Sequence, residues 1–184
     1  MRRALCVALA LAVVCGACKR KPGQLSSNLN VENKVSVRPV SLYFEGTDML
    51  LNVERRNLAL PENPAGALSL VTRELLKGPA TRTLARSFPA DSIVRGAFLL
   101  PDGTAFVDIG GPTLSRGWGT GAHEELMAVY SIVQTIATNF PDVKRVRILV
   151  NGEPAETLAG HVNLARSLAP MPSMVAVPAT TSAR

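Results

Sequence analysis

The clearest hydrophobic pattern of the chain lies between Gly121 and Val150. Its first part repeats apolar residues at three- and four-residue steps, which predicts one buried stripe of a long helix. Asn139-Phe140-Pro141 closes this helix, because the residue before a proline is pushed out of the α region. Val143 to Val150 then forms a β-branched run typical of a strand half-covered by a helix. The stripe contains Leu126, Val129, Tyr130, Val133, Ile136, Ala137 and Phe140.

Short apolar runs separated by turn residues predict the other strands, which we expect to pair as hairpins. Pro101-Asp102-Gly103 is a turn signal because proline presets one backbone angle and glycine permits the reversal. Asn151-Gly152 is a second tight-turn dipeptide. The predicted strands are residues 40–44 with 49–55, residues 92–100 with 104–109, and a last short strand at 155–158.

Another helix is predicted between the first two hairpins. It begins at Asn63-Pro64, where asparagine caps free amides and proline suits the first helical position. It ends at Gly78-Pro79, a left-handed cap followed by a helix breaker. The resulting order, ββα, ββα, ββ, favours the α+β class: a single small domain with two helices packed on a largely antiparallel sheet.

The N-terminus carries the marks of an export signal. Met1-Arg2-Arg3 supplies positive charge, and an apolar run of about a dozen residues from Ala4 to Val14 follows, too short to span a bilayer as a helix. Two small residues then precede Cys18, a sequence that resembles a bacterial lipobox in which Cys15 replaces the usual leucine. We expect a signal peptide at 1–17 and lipidation of Cys18. Ordinary secretion and an uncleaved anchor are the alternatives.

The residues after Cys18 bear on the membrane that holds the protein. Lys19 is not the aspartate associated with inner-membrane retention in Gram-negative cells. We therefore expect an exported, lipid-anchored protein on the periplasmic face of the outer membrane there, and otherwise on the outer face of the cell membrane. Lys19-Arg20-Lys21 would meet an anionic leaflet or serve as a solvated spacer.

Polar segments flank the predicted domain on both sides. Residues 18–39 lack hydrophobic periodicity and predict a flexible tether. Order is expected from Val40, so the domain spans residues 40–165. From residue 166 to residue 184 the chain is rich in Pro, Ala, Ser, Thr and Met, which predicts a disordered tail.

Cysteine and charge narrow the function classes. The cysteines at positions 6, 15 and 18 all lie in the leader, so the mature chain keeps only Cys18 and has no disulfide framework, no Cys/His metal cluster and no expected cofactor. The formal charge falls from +6 to +4 once Arg2 and Arg3 leave. Because an exported chain does not meet its own genome, this charge indicates anionic lipid or cell-wall polymers and no nucleic acid.

Several short motifs between Val40 and Leu158 form a recognisable set, of which the leucine-rich step at 74–79 and the strand at 105–108 are the most specific. Together they resemble the GerMN domain, the sporulation and spore germination domain. The resemblance implies an envelope lipoprotein without general enzymatic activity, and a fold similar to ring-building motifs, with a packing or oligomerisation role. Some spore-formers carry two copies, while this chain has room for one. The other matching positions are 42–44, 53–55, 88–89, Glu125, Thr135 and 146–152.

Acid–base chemistry would need a carboxylate or a histidine in a cleft. His123, in the first turn of the long helix, is either an exposed residue or a proton shuttle. Asp108 and Glu54 could act as paired carboxylates on a glycan. Structural roles are the alternative: Asp108 would face solvent at the end of a hairpin or bond loop amides near Gly110, and Glu54 would form a cross-strand ion pair. Since no GxSxG elbow or metal-ligand spacing occurs, we expect no catalytic residue and no metal site.

The loop before the long helix is the predicted contact surface for a partner or ligand, through Arg116, Gly117, Trp118 and Gly119. Its alternating glycines could offer amides to an anion at the helix N-terminus, or form a plain connection. Trp118, the single tryptophan, could anchor a partner, stack on a sugar, or fold back over the edge of the core.

Two function classes remain open. The first is a non-catalytic envelope lipoprotein whose domain binds envelope proteins or itself. The second is a peptidoglycan-acting enzyme or a glycan-binding module that uses Trp118 and the carboxylates. The aromatic content of 4% weighs against the second class, because sugar sites usually depend on aromatic platforms.

Overall fold

Within residues 34–177, the part of the chain that our computed structural model describes, six strands form two sheets and three helices pack among them. Strands β1 and β2 make an antiparallel hairpin, and the second sheet has the order β3-β4-β5-β6. The bounds are β1 Val35–Glu45, β2 Leu51–Pro61, α1 Pro64–Leu76, β3 Ile93–Leu99, β4 Thr104–Gly110, α2 Pro112–Arg116, α3 Ala122–Asn139, β5 Arg145–Val150 and β6 Glu153–Pro154.

Helix α3 lies at the centre of the molecule, as its hydrophobic stripe predicts. Val129, Val133 and Ile136 of the predicted stripe have no exposed surface. The buried surface is wider than one stripe, because α3 contacts β1, β5 and α1. Ile132 is therefore also fully buried, while Leu126 and Ala137 at the margins of the predicted stripe are only half-buried.

Side chains of α3 close the outer edge of β1. Asn139 brackets Ser41: its Oδ1 accepts from the Ser41 N–H at 2.9 Å, and its Nδ2 donates to the Ser41 carbonyl at 2.7 Å. One residue pair further along, the Tyr43 N–H donates to Thr135 Oγ1 at 3.0 Å. Backbone groups at the edge of a sheet need such partners when they are covered by protein. The polar residues of α3 thus fix the hairpin to the helix.

The second sheet combines antiparallel and parallel pairing. Strand β4 pairs antiparallel with β3 and parallel with β5. The parallel return needs a long crossover, which α2 and α3 provide. The inner face carries the fully buried Val107, Ile109 and Val146. On the opposite face Phe98 stacks on Phe106 with ring centroids 4.7 Å apart.

The α+β class is confirmed, but the prediction of one sheet with two helices is wrong in detail. The strands divide into two sheets, and α2 is a third, short helix. The last strand is Glu153–Pro154, two residues long, and not 155–158. Hydrophobic runs indicate which segments are strands but leave open which strands pair, and this pairing separates the hairpin from the other sheet.

The boundaries 40–165 are also too narrow. Strand β1 begins at Val35, within the predicted tether, because residues 35–39 pair with 57–61 of β2. The predicted tail is ordered as far as residue 177: Leu168 exchanges two backbone hydrogen bonds of 2.8 Å with Val146, and Met174 is buried. The leader, Cys18 and the remaining tether residues up to 33, together with residues 178–184, lie outside the described residues.

Local signals at the helix ends are confirmed. The Asn63 side chain accepts a hydrogen bond from the Gly66 N–H at 2.6 Å, and Pro64 is the first residue of α1. Gly78 has a φ of +86°, the left-handed conformation expected after a helix. Among residues 34–177, no helix is both long and apolar enough to cross a bilayer.

Candidate functional site

The carboxylate of Glu125 occupies a cradle of backbone amides at the start of α3. Its Oε1 accepts from the N–H groups of Leu158 at 2.7 Å and Ala159 at 2.9 Å, and its Oε2 accepts from the His161 N–H at 2.7 Å. The residue has no exposed surface. Burial raises the pKa of Glu125, but these backbone donors outweigh that effect and hold the pKa below its usual value. Glu125 therefore ties residues 158–161 to α3 as a carboxylate.

Sequence reasoning missed this role, because the helix dipole alone accounts for an acidic residue in the first turn of a helix. The available signal was its spacing: Glu125 precedes Val129, Ile132 and Ile136 by four, seven and eleven residues, a helical repeat that places it on the buried side. A charged residue on such a face needs partners with full hydrogen-bonding capacity.

Glu54 occupies a second cradle. Its carboxylate accepts from the backbone N–H groups of Ala80 at 3.0 Å and Thr81 at 2.8 Å, and pairs with Arg56 at 2.6 Å. Burial raises the pKa of Glu54, while the Thr81 amide and the Arg56 guanidinium lower it more, to about 2. The predicted ion pair exists, but it joins residues of one strand. Arg56 also donates to the Gly78 carbonyl at 2.7 Å, so the pair joins β2 to the end of α1.

Asp108 and His123 are likewise engaged within the fold. Asp108 Oδ1 accepts from the Gly152 N–H at 2.9 Å, and its Oδ2 pairs with Arg95 at 3.2 Å. Asp108 thus bonds a loop amide, but the donor lies in the turn after β5 and not in the predicted segment near Gly110. His123 Nε2 lies 2.6 Å from Glu45 Oε1, which connects α3 to β1. His161 contributes its backbone N–H to Glu125.

The structure does not join these acidic residues into a catalytic pair. Glu54 lies on β2 of the hairpin and Asp108 on β4 of the other sheet, and no hydrogen bond connects them. Between residues 34 and 177, no group of three or more His, Cys, Asp or Glu side chains is placed to hold a metal ion. Grooves of about 420 and 490 Å³ are lined by residues such as Arg73 and Lys144, and by none of the candidate acids.

The residues of the predicted contact loop differ in their exposure to solvent. Arg116, Gly117 and Gly119 are exposed, and no atom lies within 4 Å of a Cβ built on either glycine. Trp118 is half-buried and stacks on the buried Phe88, with ring centroids 5.8 Å apart. The interpretation in which Trp118 folds back over the core is therefore the one the structure shows. Whether this loop contacts a partner stays a prediction.

The sequence matches a known family over most of its described part. The family model Germane, described as sporulation and spore germination, matches residues 41–156. The chain belongs to this family. The resemblance to the GerMN domain is thereby confirmed. The matched span includes the cradle of Glu54 and the Glu125 side chain, while the amides at 158–161 that bind Glu125 lie just beyond it. No curated protein matches the sequence.

Solved structures share the fold. The chain is similar to the first GerMN domain of the sporulation protein GerM from Bacillus subtilis, with 19% identity, a TM-score of 0.55 and coverage of 72% of this chain and 97% of that domain. The chain is also similar to the tandem GerMN domains of the same protein, with 19% identity and a TM-score of 0.57; the match covers 72% of this chain and 46% of the tandem chain.

A candidate lipoprotein from Clostridium perfringens is also similar, with 20% identity, a TM-score of 0.50 and coverage of 73% of this chain and 88% of that chain. At these identities the likeness establishes the fold alone. The coverage of the tandem protein agrees with one GerMN-like domain in this chain. The relation to ring-building motifs, which none of these matches tests, stays a prediction.

Proposed function

We propose that this protein is a non-catalytic lipoprotein of the bacterial cell envelope whose GerMN-like domain binds envelope proteins or a second copy of itself. The observation that carries this proposal is the state of the acid–base candidates. Glu54, Asp108 and Glu125 accept backbone or arginine hydrogen bonds, and His123 lies within hydrogen-bonding distance of Glu45. A general acid or base needs a group free to exchange a proton with substrate.

The second part of the proposal concerns attachment. The leader that ends at Cys18 supports export and lipidation, and the similarity to a candidate lipoprotein from Clostridium perfringens supports the same location. We propose the periplasmic face of the outer membrane in a Gram-negative cell, and otherwise the outer face of the cell membrane.

The peptidoglycan-binding alternative receives less support. Sugar sites usually depend on several aromatic platforms, and here Phe88 covers one face of the single tryptophan, with ring centroids 5.8 Å apart. The exposed members of the loop, Arg116, Gly117 and Gly119, can instead reach a protein surface, with Trp118 as a half-covered anchor.

Attachment is tested by mass spectrometry of the mature protein from membranes. We expect a diacylated Cys18 at the new N-terminus, and Cys18→Ser should leave the full-length precursor. An unmodified mature chain with the same N-terminus would end the lipoprotein claim.

Binding is tested by cross-linking the anchored protein in native membranes and quantifying the attached proteins. Asp108→Asn and His123→Ala should leave the recovered set within about twofold of wild type, because an interaction module depends on surface shape. Arg116→Glu and Trp118→Ala should reduce recovery severalfold. Trp118→Phe keeps an aromatic ring stacked on Phe88, so it shows whether a loss in Trp118→Ala comes from a missing partner contact or from disturbed packing within the domain. Loss of recovery in Asp108→Asn alone, with the protein folded, would contradict the proposal.

A further inference from the structure

Strand β2 has an open edge that faces away from β1. The Leu51 carbonyl accepts a hydrogen bond from the Ala176 N–H at 3.0 Å, so the backbone groups of Leu51 point away from the hairpin partner. In an antiparallel pair this direction alternates along the strand. The backbone N–H and C=O groups of the next odd-numbered residues therefore point the same way. We call Val53, Arg55, Asn57 and Ala59 the open edge; all four residues are exposed.

Nothing in residues 34–177 occupies the open edge. In this described part of the chain, no hydrogen bond from a side chain or a loop reaches the backbone N–H or C=O groups of these four residues. The contrast with β1 is direct, because Asn139 and Thr135 close the equivalent positions there. An uncovered edge of this kind is a template for another strand.

Within residues 34–177, the C-terminal segment reaches Leu51 and makes no hydrogen bond to the open edge. Val175 pairs parallel with Leu51, and Ala176 donates to Leu51. In a parallel ladder, the next donor toward the Val53 carbonyl would be residue 178. That residue is Pro178, which has no N–H. Pro61 likewise has no donor at the other end of β2.

We propose that the open edge pairs antiparallel with the open edge of a second copy of this chain. In the favoured register, Val53 lies opposite the partner's Ala59, and Arg55 lies opposite the partner's Asn57. Each opposed pair exchanges two backbone hydrogen bonds, which gives about eight across the two-fold axis. Apolar side chains meet apolar ones, and each arginine meets an amide.

Charge and proline content select this register over its neighbours. A shift by one residue pair in one direction places Arg55 opposite the partner's Arg55, and like charges directly opposite are unfavourable. The shift in the other direction brings in Pro61, which cannot donate. The favoured register sets Arg56 opposite the partner's Arg56 on the other face of the strand. Each Arg56 is already bound to its own Glu54 and to the Gly78 carbonyl, so its charge is neutralised before the copies meet.

The pairing rests on the proposed membrane attachment. A strand-to-strand contact buries less surface than the roughly 1,200 Å² of a stable soluble complex. Anchoring two copies to one membrane raises their effective concentration and favours a weak contact of this size. We therefore place the test in the membrane.

The test is disulfide cross-linking of the full-length, membrane-anchored protein. Two differently tagged copies, one Val53→Cys and the other Ala59→Cys, are expressed together and oxidised. Opposed residues in such a pair have Cα atoms about 5.5 Å apart, which suits a disulfide. We expect a dimer of the two tags. Either variant alone should give none, because like positions would lie about 20 Å apart, at 3.3 Å per residue over six residues.

Two controls make the outcome decisive. Asn57→Pro removes an N–H that points away from β1 and should lower the dimer yield at least tenfold. Asn57→Ala keeps that N–H, so its dimer yield should be unchanged. Dimers in copies without introduced cysteine would reveal a free native cysteine, either Cys18 or one retained in an uncleaved leader. That result would contradict the proposed lipid attachment, and the pairing would be scored as the yield above this background. Absence of the Val53–Ala59 dimer, or equal yields from single variants, would overturn the proposed pairing.

Discussion

Individual buried carboxylates hold the loops of this domain in place. Glu125 replaces the water that three backbone N–H groups in residues 158–161 would otherwise bind. Glu54 does the same for the segment that follows α1. Residue type and spacing could indicate that Glu125 is buried. They could not indicate its partners, because these lie more than thirty residues away along the chain.

Glu125→Gln should lower the free energy of unfolding by about 3 kcal/mol. Both oxygens of the Glu125 carboxylate accept from backbone N–H groups, but a glutamine amide offers one oxygen and one NH₂ group. The NH₂ group would therefore face a backbone N–H, donor against donor. Urea unfolding measures the effect. Glu124→Gln is the matched control, because Glu124 is exposed one position earlier and should change stability by less than about 0.5 kcal/mol. Equal effects from the two variants would contradict the cradle.

Glu54 should make stability depend on acid pH. Its folded pKa of about 2 lies below the usual 4.5, so its contribution is present above pH 4.5 and is lost as the pH falls toward 2. The lowered pKa of Glu54 corresponds to roughly 3 kcal/mol of stability. Wild type should therefore lose stability over this range, and Glu54→Gln should lose less, although it is less stable at pH 7. Parallel pH profiles of the two proteins would show that Glu54 is not stabilised as a carboxylate.

At the scale of elements, the local signals predicted structure well and the long-range pairings were missed. The caps of α1 and the stripe of α3 follow from residues close in sequence. Strand residues 35–39 and the segment from 166 to 177 carry little hydrophobic periodicity. They are ordered because distant strands supply hydrogen bonds, as Val146 does for Leu168. The hydrophobic pattern of a segment does not show which distant strand will bond to it.

Val133→Asp tests the central helix. Val133 has no exposed surface, so the new carboxylate would be buried without a partner. We expect destabilisation of about 4 kcal/mol, measured by thermal or urea unfolding. Thr138→Asp, at an exposed position of the same helix, should have an effect below about 1 kcal/mol. An unchanged melting temperature for Val133→Asp would mean that the helix presents a different face to the core.

For the molecule as a whole, the hairpin, the second sheet and α3 form one scaffold in which Glu54, Asp108 and Glu125 bind backbone amides of loops. The family and the α+β class were predictable from short motifs, because these motifs record local strands, turns and caps. The hydrogen-bond partners of each carboxylate were not predictable, since they depend on which loops the fold brings close to it. These hydrogen bonds support a binding function in place of catalysis.

The most direct test of this account is the release of soluble muropeptides from purified peptidoglycan, quantified by mass spectrometry after incubation with the purified protein. The account predicts release no greater than that of buffer, and the same result for folded Asp108→Asn and Glu54→Gln variants. Release by the wild-type protein that either variant lacks, while remaining folded, would contradict the non-catalytic function.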